Sequence, residues 1–199
     1  MKLKVIIFLF CFTLILLSCN QKNRSPELEK HFTESQIEDL NTIRLFYINS
    51  VLEIKTSEFK TNYLKAFDKK SANSFESISK QKIDSLFNMI SETTMNEIWD
   101  RKNDTIFTSD NGLIIYKGFK PNFNGKYQAY LNEIAKTNEA IKDYYEHMSL
   151  RGDFRQQWFY TYTLDYPKEF DLNNIDIQTI IAINHISNLK DLKSLNFKN

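Results

Sequence analysis

Glu139, Asp143 and His147 stand four residues apart along the chain. That spacing puts side chains on one face of a helix, with neighbours ~5–6 Å apart at Cβ. Two adjacent members could share a metal ion. The outer pair is about 12 Å apart by helical rise, too far for one ion to join all three. The row is therefore expected to be a solvated polar face, with no metal and no cofactor held there. The remaining histidines, His31 and His185, are distant in sequence.

Other reactive sets fare no better. Nucleophilic catalysis needs a hydroxyl beside a histidine and a carboxylate, and no serine sits in a tight G-x-S-x-G turn. Phosphate-cradling loops of the G-x-x-x-x-G-K-[ST] or G-x-G-x-x-G type are absent from the sequence. No catalytic residue is assigned, and a hydrolase is the least favoured function. Arg151–Gly152–Asp153 spells a tripeptide that serves adhesion only at an exposed loop tip. The plainer reading is a glycine break with Asp153 capping the next segment.

Trp158, Phe159, Tyr160, Tyr162, Tyr166 and Phe170 form the densest aromatic cluster. Such rings serve protein interfaces and sugar faces alike, and they serve cores as well. Trp158, Tyr160, Tyr162 and Tyr166 are the candidate binding residues. The segment reads two ways: Phe154 and Trp158 suit a helix, while Tyr160, Tyr162 and Leu164 alternate like a strand. That alternation would set Phe159 on one face and Trp158, Tyr160 and Tyr162 on the other.

The last reactive residue is a cysteine. "MKLKVIIFLFCFTLILLSCN" combines Lys2 and Lys4, an apolar run from Val5 to Leu17, the small Ser18 and Cys19. This is the layout of an export signal. The run gives about 20 Å of helix, short of the roughly 30 Å of a bilayer's hydrocarbon core. Leu16–Leu17–Ser18–Cys19 resembles the lipobox of bacterial lipoproteins. The resemblance covers about twenty residues and is silent on the rest of the chain. It implies cleavage after Ser18, a diacylglycerol thioether-linked to Cys19, and membrane attachment through that lipid. It also implies an envelope location. Asn20 replaces the Asp that retains some lipoproteins at the inner membrane, and no acidic run marks surface export. Both absences point to the outer membrane, facing the periplasm.

Cleavage there would leave residues 19–199, a length suited to one domain. Of two cysteines, Cys11 would leave with the signal and Cys19 would be acylated, so disulfides and thiolate metal sites are excluded. Lys and Arg total 26 against 25 Asp and Glu. That balance lacks the basic stripe nucleic-acid binding needs.

Residues 19–31 read as a lipidated N-terminus and polar tether, with 20–30 able to reach about 40 Å. A single helical domain occupies 32–199. Thr33 and Gln36 form a capping-box pattern before Ile37, Leu40, Ile43, Tyr47, Val51 and Ile54. Helical spacing recurs through Phe59, Tyr63 and Phe67, and through Ile83, Leu86, Phe87, Ile90, Ile98 and Trp99. It returns over 125–148 at Tyr127, Tyr130, Leu131, Ile134, Ile141, Tyr145 and Met148, and again at Ile177, Ile180, Ile181, Asn184, Leu189 and Leu192. Two β-branched runs flank Asp110–Asn111–Gly112, a hairpin signal over 104–118. The expected fold is mainly α, five or six helices with a small β-hairpin insertion.

The expected function is a lipid-anchored envelope protein with a non-enzymatic protein-binding role, as an accessory subunit or immunity-type protein. The alternative is a surface lipoprotein that binds a glycan or small ligand through the aromatic cluster.

Overall fold

The computed structural model describes residues 23–72, 78–107, 113–155 and 158–194. The fold is mainly helical with one two-stranded antiparallel sheet. Among the described residues there are nine α-helices, more than the five or six expected. These are α1 (Pro26–His31), α2 (Glu34–Phe46), α3 (Phe59–Ala72), α4 (Lys80–Met89), α5 (Glu92–Ile98), α6 (Lys126–Ala135), α7 (Glu139–Arg151), α8 (Trp158–Asp165) and α9 (Ile175–Ser194). Strands β1 (Trp99–Phe107) and β2 (Leu113–Pro121) lie between α5 and α6.

Part of the surplus is a break at Ile90–Ser91 that divides α4 from α5, where Ser91 caps α5 by accepting from the Thr94 amide at 3.2 Å. The surplus has two further sources. The first is α1, inside the segment expected to be a tether. Ser25 caps it, its hydroxyl accepting from the Leu28 amide at 3.1 Å, and Leu28 is buried. Residues 23–31 thus belong to the domain. The second is a break at 136–138, which splits the helical run of 125–148. Asn138 caps α7 by accepting from the Ile141 amide at 2.9 Å. The break rotates α7, so Tyr144 is fully buried and Tyr145 only half-buried.

The capping box forms as the spacing predicts. Thr33 Oγ1 accepts from the Gln36 amide and Gln36 Oε1 from the Thr33 amide. Ile37, Leu40 and Ile43 face the core, and α2 runs on into a π-helical turn over Tyr47–Val51. One buried cluster extends from Leu28 to Leu189. Its axis is α9, whose residues from Asp176 to Ser187 are all buried, polar ones included. A helix buried all round is surrounded by others, here α2, α4 and β2.

The hairpin is longer than its expected 104–118. Pairing runs from Trp99↔Pro121 to Phe107↔Leu113, and its turn lies outside the described residues. Trp99 ties it to the bundle: its indole N–H donates to Ser187 Oγ at 2.7 Å and its ring packs on Phe87 and Phe119.

Gly125 begins α6 where it crosses the end of α5. A Cβ there would lie 2.2 Å from the Glu97 carbonyl oxygen. The Lys126 amide also donates to Glu97 Oε2 at 2.8 Å, so the approach cannot open cheaply. Gly125→Ala is expected to cost about 3 kcal/mol, the upper end of overpacking penalties. Urea unfolding would measure this, and a loss below about 1 kcal/mol would contradict the close approach.

Candidate functional site

Trp158, Phe159, Tyr160 and Tyr162 of the aromatic cluster fall on α8, a helix and not a strand, and Tyr166 and Phe170 lie past its end. Thr163 Oγ1 donates to the Phe159 carbonyl at 2.5 Å and the Tyr166 amide to the Tyr162 carbonyl at 2.8 Å, both i to i−4 bonds. Phe159 and Thr163 face the core, Phe159 packing on Tyr144 at 4.7 Å.

Trp158, Tyr162 and Tyr166 form a ridge along the helix. Their ring centroids lie 4.7 Å and then 4.8 Å apart. A step of four residues advances 400° around a helix of 3.6 residues per turn, so each ring sits nearly above the last. Of the two readings the segment allowed, the helix is the one observed. Tyr160 leaves the ridge and stacks on Phe67 of α3 at 4.8 Å, its hydroxyl donating to Asp68 at 3.4 Å. The candidates therefore split. Trp158 is buried, Tyr160 and Tyr162 are half-buried, and Tyr166 is 54% exposed, as is its neighbour Leu164.

Asp143 holds the base of the ridge. Its Oδ2 accepts from the Trp158 indole N–H at 3.2 Å and from Arg155 at 3.4 Å. The Arg155 guanidinium lies 5.4 Å from the Trp158 ring centroid, within cation–π range. Asp143 Oδ1 lies 2.9 Å from His147 Nδ1, and Glu139 pairs with Lys142 instead. Asp143 thus fixes α8 against α7. Among the described residues no group of three or more metal-ligating side chains could hold an ion.

His185 is buried in α9, stacked on Tyr47 and hydrogen-bonded to the Tyr63 hydroxyl at 3.1 Å. Burial pushes its pKa down to about 3, so it is neutral at physiological pH. His31 stands apart on α1 beside Tyr130. At the end of α7, Gly152 takes a left-handed φ of 75° and its amide closes the helix on Met148. Asp153 pairs with Arg151 at 3.8 Å rather than capping α8, which begins five residues later.

No protein-family model matches this chain, nor does any curated protein or solved structure. Its function must be read from geometry.

One cleft went unseen in the sequence. About 350 Å³ in volume, it lies where α1, the end of α6 and the start of α9 meet, lined by Glu27, Glu133, Lys136, Asp171 and Asp176 among others. Asp176 Oδ1 accepts from Ser25 at 2.5 Å and from the Tyr130 hydroxyl at 2.8 Å. Burial raises its pKa against the effect of those two bonds. Glu133 is held down to about 2 by Lys136 and Lys30. Carboxyls pushed apart in this way can divide acid and base roles. Here both are bound to structural partners, Asp176 to the α1 cap and Glu133 to two lysines. The signal for Asp176 was its place just after Asn174, which caps α9 through bonds to the 176 and 177 amides.

Cys19, the lipidation candidate, lies outside the described residues. Among the described residues no helix is long and apolar enough to cross a membrane.

Proposed function

We propose that this chain is a lipid-anchored envelope lipoprotein, held to the outer membrane through Cys19 and facing the periplasm. In this reading it binds another protein through the α8 ridge, without catalysis. The anchor rests on the lipobox resemblance. The binding role is carried by one observation: Tyr166 and Leu164 stand exposed at the end of a ring stack fixed from below. Aromatic side chains immobilised in advance lose little entropy on binding and are enriched among interface anchors.

The same stack weighs against the glycan alternative. A sugar needs open ring faces, whereas the Trp158 and Tyr162 faces are turned on each other at an interplanar angle of 30°. Edges and hydroxyls are left for a partner. Those suit a protein surface better than a pyranose ring.

The test is a photo-crosslinking residue placed at Tyr166 in the lipidated protein in intact cells. One discrete protein adduct is expected at 166, and none at the still more exposed Lys55. Equal labelling at both positions, or none at 166, would count against the ridge. Once the partner is identified, Tyr166→Ala should weaken it about thirtyfold, the equivalent of a 2 kcal/mol hot spot. The same change should alter folding stability by less than about 0.5 kcal/mol.

A further inference from the structure

The first described residues are clamped to the domain, and the clamp sets how far an anchored domain could stand from its membrane. The Asn23 carbonyl accepts from Asn41 Nδ2 at 2.8 Å, and its side-chain oxygen accepts from Arg44 Nη2 at 2.9 Å. Arg24 pairs with Glu34, and Ser25 donates to the buried Asp176. The clamp cannot release cheaply. Arg44 is 2% exposed, and its acceptors are the side-chain oxygens of Asn23, Asn41 and Gln178. Losing Asn23 would leave a buried guanidinium donor unmet, and buried charges need their hydrogen bonds.

The span from Cys19 to Asn23 is four residue steps, at most about 14 Å when fully extended. That replaces the 40 Å reach expected of a free tether. The headgroup layer is ~5–8 Å thick on each side of the hydrocarbon core. A lipidated Cys19 at the hydrocarbon edge would therefore hold Asn23 within ~10 Å of the headgroup surface, less than one helix diameter.

We infer that the surface carrying Asn23, Arg24, Glu29, Glu34 and Glu38 lies against the phospholipid headgroups of the membrane that holds Cys19. The inference rests on the lipid-anchor reading and adds an orientation to it. Glu29, Glu34 and Glu38 are exposed around Arg24. Three carboxylates against one guanidinium give anionic lipids no attraction. The apposition is imposed by chain length, so salt should not weaken it.

The experiment uses the full-length lipidated protein with a fluorophore on Glu38→Cys. It is reconstituted into phosphatidylethanolamine/phosphatidylglycerol vesicles containing headgroup-nitroxide lipid. A second form carries about a dozen Gly and Ser residues between Gln21 and Lys22, adding a mean reach of ~20 Å. Palmitate incorporation is measured on both. Strong quenching is expected in the first form, unchanged by salt, and most of it should vanish in the second. If both forms are acylated yet the insertion changes nothing, or quenching is weak in both, the orientation is overturned and the anchor stands. If neither is acylated, the anchor reading fails and this inference falls with it.

Discussion

Between pH 9 and 11 the protein is expected to lose about 7 kcal/mol of folding stability. Tyr47, Tyr63, Tyr127, Tyr130 and Tyr144 are fully buried. Burial is the largest cause holding each phenol above its ordinary value. Tyr130 donates to Asp176, so its ionisation would also set two negative charges together. In the unfolded chain these phenols titrate near pH 10. Above that pH the unfolded state has released protons that the folded state still holds, so stability falls as pH rises. Their contribution is intact below pH 10. At pH 11 each costs about 1.4 kcal/mol, and the five together about 7 kcal/mol. A typical domain has only about 5–15 kcal/mol in all. Urea unfolding at pH 8 and pH 11, with tyrosinate absorbance and circular dichroism followed together, measures this. Absorbance from the buried five should rise only as helicity is lost. The chain has ten tyrosines, so more than five tyrosinates in a chain that keeps its helicity would contradict the burial of these rings.

Cys19→Ser should have the largest effect on where the protein resides. Serine lacks the thiol that would carry the lipid, so palmitate incorporation should drop to background. Acyl chains contribute ~0.8 kcal/mol per buried CH₂, and one myristoyl-length chain holds only marginally. Two chains of ordinary length would hold by roughly 20 kcal/mol on the same scale, and the substitution removes all of it. Cleavage between residues 18 and 19 should also fail, leaving a heavier precursor. When Cys19→Ser is exported and processed behind an ordinary secretion signal, the domain should be recovered soluble. Sedimentation of Cys19→Ser with envelopes at unchanged mass would refute the lipid anchor.

The α8 ridge and the N-terminal clamp bear on each other through these tests. If Cys19 is acylated, the clamp at residues 23–25 would hold the domain close to its membrane and restrict the approach of any partner. Lengthening the linker should therefore change adduct formation at Tyr166 only if that partner is itself membrane-bound. The same insertion variant reads both properties.

The amino-acid sequence alone determined what depends on neighbours along the chain. The Thr33–Gln36 cap, the core stripe of Ile37, Leu40 and Ile43, and the hairpin between two β-branched runs arise from spacing a few residues long. Mainly helical architecture was legible for the same reason. Tertiary structure decided what depends on residues far apart. Ser25 is part of the domain because its hydroxyl and that of Tyr130 donate to the same oxygen of Asp176, 151 residues along the chain from Ser25. A polar stretch such as 23–31 has no apolar period to announce that, since hydrogen bonds rather than apolar area hold it. Only the fold distinguished the ridge residues Trp158, Tyr162 and Tyr166 from Tyr160, which turns to Phe67. Rings two apart share a face on a strand and diverge on a helix, and the segment's own sequence allowed both. The buried polar side of α9 was hidden likewise, because Asn184, His185 and Ser187 find their partners on Tyr144, Tyr63 and Trp99.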